Sequence, residues 1–361
     1  MARSLLRISL LLLLLALVVV AYLAYRLEHP AGGGARDEVT VVFETGTATA
    51  HIFRRLEKEG VVEDARLAEI YYRVHRSATP LQAGEYLFTR PMAIDEVINR
   101  MGRGDVVKHA VVVPEGLTAE ETFELFWKRG VGGPEAFRAA MRGTELLPGI
   151  TSGVSDLEGF LFPDTYVVTR STSAGQIVDR MVAQFQKTFT LEMRRRAQEL
   201  GLTVRQAVTL ASIVEKESAL SQEGRLIAGV YLNRLRRGMR LQADPTVVYA
   251  MKQDGRWRGM LYRSDYGYES PYNTYLYSGL PPGPICNPGR GALRAAVAPA
   301  QTEYLYFVAD HTGGHRFSRS YEEHRDAIAA GRRSRQEPPP EVSPDAPSAP
   351  APGQAGPATA N

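Results

Sequence analysis

Cysteine is almost absent from this sequence: Cys286 is the only one among 361 residues. A single cysteine excludes a disulfide framework and a metal cluster held by several thiolates. Because it lies far from the N-terminus, it also excludes a lipid attached to an N-terminal cysteine. Any attachment to a membrane must therefore come from the chain itself.

An excess of charge of one sign is also missing. The 43 basic and 40 acidic residues nearly cancel, which leaves a formal net charge of +3, and they are spread along the chain. A nucleic-acid-binding domain would show clustered or excess basic residues. We therefore expect no nucleic acid among the partners.

Several catalytic and metal-binding patterns are missing as well. The sequence contains no GxSxG nucleophile motif and no GxxxxGK[ST] phosphate-binding loop. His311 and His315 have the i, i+4 spacing of helical metal ligands, but the two glycines between them disfavour a helix, and no third ligand is indicated. We predict neither a metal nor another cofactor.

One long apolar run is present, from Ile8 to Tyr25, with Ser9 as its only clearly polar residue. It is just long enough to cross a bilayer as a helix. Arg3 and Arg7 precede it, so residues 1–7 are predicted to stay in the cytoplasm. A cleaved signal peptide is the alternative, although its apolar part is usually shorter and is followed by small residues. We favour an uncleaved anchor over 8–25, and either alternative exports the main body.

Two stretches lack the apolar residues of a folded core. Residues 26–37 contain three consecutive glycines and are predicted to be a linker. Residues 336–361 are rich in proline and alanine, so we predict a disordered tail. The folded part of the protein is therefore expected between these two stretches.

A weak internal repeat opens the folded part. Residues 41–61 and 111–131 align without a gap at an offset of 70, and seven of 21 positions are identical. Each copy has the pattern of a short strand, a glycine turn and an amphipathic helix closed by glycine. We interpret the copies as two similar β-α units, although unrelated strand-turn-helix units can share this many residues.

Helices and strands are distributed unevenly in the second part of the chain, 150–330. The apolar spacing predicts helices within 174–199, 203–220 and 222–237, and a strand over 303–310. Elements that segregate in this way, without regular alternation, favour the α+β fold class.

Two glutamates, Glu215 and Glu217, interrupt the apolar stretch ASIVEKESAL at 211–220. At 100° per residue, Glu217 lies near the apolar stripe of the helix, whereas Glu215 points toward solvent. Apolar surroundings raise the pKa of a carboxyl group, and a general acid needs such a raised pKa near neutral pH. Glu217 is therefore a candidate acid, with a structural glutamate that accepts hydrogen bonds or pairs with a nearby arginine as the alternative. We expect Glu215 to be solvated or ion-paired.

Two loops suggest a surface for binding sugars. Residues 262–277 hold six tyrosines beside Asn273 and several hydroxyl groups. Aromatic faces stack on sugar rings while polar groups bind ring hydroxyls; a tyrosine-rich hairpin packed on a core is the alternative. Gln242 and Asp244 follow a predicted helix in a short loop, where functional side chains are often presented.

Six motifs together resemble those of one family. In chain order they are LEGFLFPDTY, LASIVEKES, VYLNRLRRGMRLQADPTVVY, PYNTY, GLPPGPICNPG and EYLYFVAD. Over about residues 40–330 the sequence is similar to the endolytic murein transglycosylases, the MltG/YceG-like family. One departure is Ala298, where relatives often carry histidine or asparagine.

The resemblance implies an arrangement of domains and an activity. It implies a small LysM-like β-α module over 38–108 and a mixed α+β catalytic domain over 109–335, held outside the cytoplasm by a single-pass anchor in the cell membrane. Such enzymes cleave the β-1,4 bond between MurNAc and GlcNAc within peptidoglycan strands. They consume no water and leave 1,6-anhydro-MurNAc ends. The implied partners are glycan strands, the membrane and the peptidoglycan synthases.

The resemblance also assigns site residues. It places the catalytic acid at Glu217, and six residues on or near the matching motifs are predicted to hold the strand: Glu158, Gln242, Asp244, Tyr272, Asn273 and Tyr275. Two alternatives stay open. One is a hydrolytic muramidase that uses Glu158 or Asp244 as a second carboxylate; the other is a non-catalytic scaffold that binds peptidoglycan.

Overall fold

The computed structural model describes residues 2–28, 37–75, 79–147, 150, 156–218, 222–310 and 313–336. Most of the predicted linker and almost all of the predicted tail lie outside these residues. Short antiparallel strand pairs and many helices make up the described part, which confirms the predicted α+β class.

The N-terminal apolar run lies in a helix, α1 (Ala2–Glu28). Its large apolar side chains from Leu10 to Val18 are exposed. Across the described parts of the chain, no helix is both long enough and apolar enough to cross a membrane. The anchor over 8–25 stays a prediction.

The first folded unit has its own hydrophobic core, built from residues between Val41 and Met101. β1 and β2 pair antiparallel, with Asp37 opposite Arg90 and Phe43 opposite Gly84. The helices pack around this pair and bury their apolar faces. The elements are β1 (Asp37–Phe43), α2 (Thr49–Lys58), α3 (Ala65–His75), β2 (Gly84–Arg90) and α4 (Ile94–Arg103).

The second unit has a larger core, with residues between Val111 and Val297. Its strands form two further antiparallel pairs, β3 with β4 and β5 with β6. The elements are β3 (His109–Val112), α5 (Ala119–Trp127), α6 (Pro134–Ala140), β4 (Thr165–Val168), α7 (Ala174–Thr188), α8 (Leu191–Glu199), α9 (Val204–Glu217), α10 (Gly224–Arg236), α11 (Asp244–Gln253), α12 (Arg290–Val297), β5 (Tyr306–Ala309), β6 (His315–Ser318) and α13 (Tyr321–Gln336).

The two copies of the sequence repeat have the same local structure. Each is a strand, a glycine turn and a helix: β1 and α2 in the first copy, β3 and α5 in the second. The turn glycines Gly46 and Gly116 have φ of 86° and 78°, and the closing glycines Gly60 and Gly130 both have φ of 71°. These are left-handed conformations that favour glycine, which accounts for two of the seven identical positions.

The structure changes the predicted helix boundaries at two places. The predicted 174–199 segment is two helices, because Phe189 leaves the helical conformation and Thr190 caps α8 by accepting a hydrogen bond from the Met193 amide at 3.3 Å. The helix predicted over 203–220 ends at Glu217, since Ser218 is extended. Glu217 is therefore the last residue of α9.

Helix α9 is the central element of the second unit. All eight residues from Ala207 to Val214 are buried, and α8, α10, α11 and α12 pack against the helix. The first turn, 204–206, and the C-terminal turn lie outside this buried stretch. The glutamates of ASIVEKESAL therefore emerge where the buried helix meets the surface of the unit.

Candidate active site

Glu217 lies on the wall of a cavity of about 320 Å³. The phenol of Tyr231, on α10, donates a hydrogen bond of 2.9 Å to Oε1 of Glu217. The cavity is lined by Glu217, Tyr231, Arg234, Leu241, Gln242, Asp244, Tyr275, Phe307, Val308, Ala309, His315 and His324. Its lining therefore comes from α9, α10, the start of α11 and the β5–β6 pair.

Burial raises the pKa of Glu217 to about 7, because the ionised carboxylate loses much of its hydration. The hydrogen bond from Tyr231 acts in the opposite direction, since it stabilises the carboxylate. The negative charge of Asp244 raises the pKa, and His315 lowers it. Glu217 can thus hold a proton near neutral pH and still be stabilised after releasing it.

Tyr231 is a functional residue that the sequence did not reveal. Only 1% of its surface is exposed, and burial raises its pKa well above the ordinary value, so the phenol keeps its proton. It therefore acts as a hydrogen-bond donor to Glu217. Within the motif VYLNRLRRG it occupies an ordinary core position of α10, and no sequence pattern distinguishes it from a packing residue.

Arg234 organises the floor of the cavity. Its guanidinium donates hydrogen bonds to the carbonyl oxygens of Leu305, at 2.6 Å, and Leu241, at 2.8 Å, and it lies 5.0 Å from the ring centroid of Tyr306. These contacts tie α10 to the loop before α11 and to the β5–β6 pair. Arg234 therefore binds backbone carbonyl oxygens and does not pair with Glu217, as one alternative for Glu217 required.

His315 is a second residue that the sequence did not place at the site. Its Nδ1 lies 2.7 Å from Oε2 of Glu223, and its backbone amide donates to Oε1 of the same carboxylate at 3.0 Å. This double contact fixes the imidazole in the Glu217 cavity. In the sequence His315 has an i, i+4 spacing with His311, which lies outside the described residues. Elsewhere, no described group of three or more histidine, cysteine or acidic residues could hold a metal ion.

Three of the predicted strand-holding residues meet Glu217 at the same cavity: Gln242, Asp244 and Tyr275. Tyr275 donates a hydrogen bond to one Asp244 oxygen, and Tyr266 lies 3.5 Å from the other. Gln242 is, within the described ranges, the one non-glycine residue with positive φ, at 51°. Such a backbone is strained, and strain of this kind occurs often at functional sites.

Asn273 does not line the Glu217 cavity, and its role in holding the strand stays a prediction. It is fully buried. Its side-chain amide donates to the carbonyl oxygens of Tyr266 and Tyr268, and its Oδ1 accepts from the Tyr275 amide at 2.9 Å. Asn273 therefore shapes the tyrosine-rich loop from inside. That loop consists of turns and a short 3₁₀ segment, not of a hairpin.

Glu158 and Tyr272 line a different cavity of about 790 Å³, which excludes Glu158 as a second carboxylate beside Glu217. Both oxygens of Glu158 accept from the Ala119 amide at the start of α5, at 3.1 and 3.2 Å. Burial raises the pKa of Glu158 to about 8. The roles of both residues in binding stay predictions.

Glu215 is not directed to solvent, so that expectation is wrong. It is partly buried, and its Oε2 accepts a hydrogen bond of 3.0 Å from the amide of Gly289, the N-cap of α12. Burial raises its pKa as well. Helical phase describes an isolated helix, and it contains no information on the loop before α12 that covers this side of α9.

The fold and the site together define a class: a mixed α+β protein whose larger unit presents a protonatable, partly buried carboxyl at the end of a core helix, in a polar cavity. The comparisons with known proteins give that class a family. A model of the YceG-like family matches residues 41–330. The chain belongs to the YceG-like family.

Individual relatives agree with this assignment. An endolytic murein transglycosylase of Bacillus subtilis is 31% identical over 323 residues, which cover 83% of this chain and 87% of the relative. An endolytic murein transglycosylase of Streptococcus pneumoniae is 30% identical over 330 residues, but this chain spans only 59% of its length. A crystal structure of a YceG-like protein from Listeria monocytogenes is 31% identical, has a TM-score of 0.51, and is matched over 80% of this chain and 98% of that one.

Proposed function

We propose that this protein is an endolytic lytic transglycosylase that cleaves peptidoglycan glycan strands between MurNAc and GlcNAc. The relatives named endolytic murein transglycosylase support the substrate and the reaction class. The observation that carries the proposal is the carboxyl of Glu217, which burial keeps protonated near neutral pH on the wall of a polar cavity. A general acid requires this combination of proton and access.

In the first step, Glu217 transfers its proton to the glycosidic oxygen while the bond from C1 of MurNAc to that oxygen breaks. The electron pair of the bond stays with the departing GlcNAc hydroxyl, and positive charge develops at C1. Tyr231 stabilises the new carboxylate through its hydrogen bond to Oε1. Asp244 lies on the same cavity, and its negative charge favours the positive centre.

In the second step, the substrate closes on itself. The Glu217 carboxylate takes the proton of the MurNAc 6-hydroxyl while that oxygen forms a bond to C1, which gives the 1,6-anhydro ring. Glu217 regains its proton, so the cycle consumes no water. We further propose that His315, held by Glu223, stabilises the carboxylate form of Glu217 between the two steps.

A hydrolytic muramidase is the second candidate, and the position of Asp244 is the observation that favours it. Asp244 is an acidic group on the same cavity as Glu217, as a two-carboxylate mechanism requires. However, both Asp244 oxygens are engaged by tyrosine phenols, one firmly by Tyr275 and one at 3.5 Å by Tyr266. A carboxylate held in this way is better placed to stabilise charge than to activate a water molecule.

The cellular setting is also a proposal. We propose that residues 8–25 anchor the protein in the cell membrane, with residues 1–7 in the cytoplasm and the folded units outside. The basic residues Arg3 and Arg7 before the apolar run support this orientation. We propose that the 38–108 unit is LysM-like and that cleavage ends strand elongation beside the peptidoglycan synthases. The strand-turn-helix order of β1 and α2 supports the LysM-like assignment.

Mass spectrometry of digested glycan strands tests the reaction. The transglycosylase predicts fragments with 1,6-anhydro-MurNAc ends, which lack one water relative to fragments with reducing ends. Fragments with free reducing ends would favour the muramidase instead. Glu217→Gln is expected to release neither, whereas Glu215→Gln keeps an oxygen for the Gly289 amide and is expected to release anhydro products.

A further inference from the structure

Three cavities follow one another along the second unit. The Glu217 cavity, of about 320 Å³, shares Asp244 with a smaller cavity of about 180 Å³, which we call the middle cavity. The middle cavity shares Tyr249 with the cavity of about 790 Å³ that holds Glu158, which we call the Glu158 cavity. Each neighbouring pair of cavities therefore has one lining residue in common.

Helix α11 is common to all three cavities. Its first residue, Asp244, lines the Glu217 cavity; Val248 and Lys252 line the middle cavity; and Gln253, its last residue, lines the Glu158 cavity. Ten helical residues extend about 15 Å. A polymer bound at Glu217 could thus continue along α11 to the Glu158 cavity.

The Glu158 cavity contains two guanidinium groups without an acidic partner. Among the described residues, neither Arg142 nor Arg205 makes a salt bridge or a side-chain hydrogen bond. The Nε atom of Arg205 is moreover buried and unbonded. By contrast, the third arginine of this cavity, Arg138, is bound to Glu120 at 3.3 Å and to Glu135 at 2.7 Å.

The acidic groups of the same cavity are already engaged within the protein. Glu120 pairs with Arg138. Glu158 accepts from a backbone amide, and burial raises its pKa to about 8, so it is largely uncharged near neutral pH. Asp156 accepts from the Glu158 amide at 2.9 Å, and Asp254 accepts from the Tyr268 phenol. Within the described part of this cavity, Arg142 and Arg205 are thus the cationic groups that no acidic side chain pairs.

Aromatic surface lies next to these arginines. The rings of Tyr249 and Tyr272 are 4.9 Å apart at an angle of 53°. Between Tyr272 and Arg205 lies Gly283: a Cβ at this position would be 3.3 Å from the Tyr272 hydroxyl and 3.2 Å from a terminal nitrogen of Arg205. The absence of a side chain there leaves the phenol and the guanidinium side by side.

We propose that the Glu158 cavity binds the peptide stem of the glycan strand whose sugar backbone lies at Glu217, with Arg142 and Arg205 pairing the carboxylates of that peptide. This inference rests on the proposed function, because the stem is part of the proposed substrate. Guanidinium groups bind carboxylates with two parallel hydrogen bonds, and the tyrosines supply a surface for the peptide backbone. The enzyme would then recognise the stem peptide as well as the sugar backbone.

Binding to two strand preparations tests the inference. Full-length Glu217→Gln protein, which cannot turn over substrate, is titrated with glycan strands that carry their stem peptides and with the same strands after enzymatic removal of the peptides. We expect the peptide-bearing strands to bind roughly tenfold more tightly at low salt. Adding Arg142→Gln and Arg205→Gln is expected to bring the ratio of the two affinities close to one.

Two controls separate charge recognition from misfolding or net charge. Arg129→Gln with Arg237→Gln removes the same charge from exposed positions outside the three cavities and is expected to keep the tenfold preference. Arg142→Lys with Arg205→Lys keeps the charge and is expected to keep most of the tenfold preference for peptide-bearing strands. An unchanged ratio in the Arg142→Gln, Arg205→Gln protein, or no preference in the parent, overturns the inference.

Failure of the peptide site can be distinguished from failure of the proposed transglycosylase function. If wild-type protein cleaves strands but the arginine substitutions leave the affinity ratio unchanged, the peptide site is wrong and the transglycosylase stands. If the ratio depends on the arginines while wild-type protein releases no fragments, the peptide site stands and the catalytic proposal is wrong.

Discussion

The cavities around Glu217 and Glu158 each contain a glutamate whose pKa burial raises, to about 7 and about 8 respectively. Their carboxyl groups are held differently. Glu217 is bound by one side-chain donor, the phenol of Tyr231, at the end of a helix. Glu158 is bound through both oxygens to a backbone amide inside the unit, and only 7% of its surface is exposed.

The difference shows that a raised pKa alone does not define a general acid. Glu217 stays partly exposed to its cavity, and a side-chain donor can stabilise it after proton loss. Glu158 also holds a proton, but its oxygens face the N-terminus of α5, where they serve the fold. Access and the type of partner therefore assign the chemistry to Glu217. Four substitutions test whether the proton-transfer role belongs to Glu217 and not to Glu158.

The largest expected effect is that of Glu217→Gln. Glutamine keeps the shape and the acceptor for Tyr231 but carries no transferable proton, so we expect the turnover number to fall by about 10³-fold. The measurement is the initial rate of fragment release from purified strands. A loss of less than about tenfold would mean that another group supplies the proton.

Tyr231→Phe is expected to lower turnover by about tenfold, because the carboxylate formed after proton transfer loses its donor. The same hydrogen bond lowers the pKa of Glu217, so the variant should hold its proton to higher pH. The alkaline limb of the rate profile is expected to shift upward from about pH 7. A profile identical to wild type would contradict the role of Tyr231.

Asp244→Asn is expected to move the alkaline limb of the rate profile to lower pH, opposite to Tyr231→Phe. The negative charge of Asp244 raises the pKa of Glu217, and its removal makes Glu217 release its proton at lower pH. The rate should therefore decline earlier as pH rises. The opposite shifts of Tyr231→Phe and Asp244→Asn, measured in one pH series, cannot be explained by a general loss of structure.

Glu158→Gln is expected to have the smallest effect on turnover, about threefold or less, with its main effect on stability. The pKa of Glu158 is raised from 4.5 to about 8 on folding, so the native state holds a proton that the unfolded chain releases within this window. This contribution to stability is lost as pH rises from 4.5 to about 8. The free energy of unfolding of the variant in urea should therefore depend less on pH. A tenfold loss of turnover would contradict the assignment of the chemistry to Glu217 and not to Glu158.

The periodic and local features of the fold were predictable from the sequence. The left-handed glycines Gly46 and Gly116 fall where the repeat predicted turns, and helix α9 follows the apolar spacing of its segment. The inward direction of Glu217 also follows from helical phase alone. These features depend on neighbours in the chain, which the sequence shows directly.

Contacts between distant segments could not be predicted in this way. Glu215 is covered by the loop at Gly289, which lies 74 residues away, and His315 meets Glu223 across 92 residues. Asn273 has the chemistry of a sugar-binding residue, yet its burial is decided by the tyrosine loop that folds around it. A single sequence contains no signal for such pairings.

A ¹³C NMR titration of the glutamate carboxyl carbons tests the central claim most directly, because it observes the proton on Glu217 without substrate. We predict a resonance that titrates with a pKa of about 7 and is lost in Glu217→Gln, and a separate one near 8 that is lost in Glu158→Gln. A Glu217 resonance that titrates at the ordinary value of 4.5 would contradict the account.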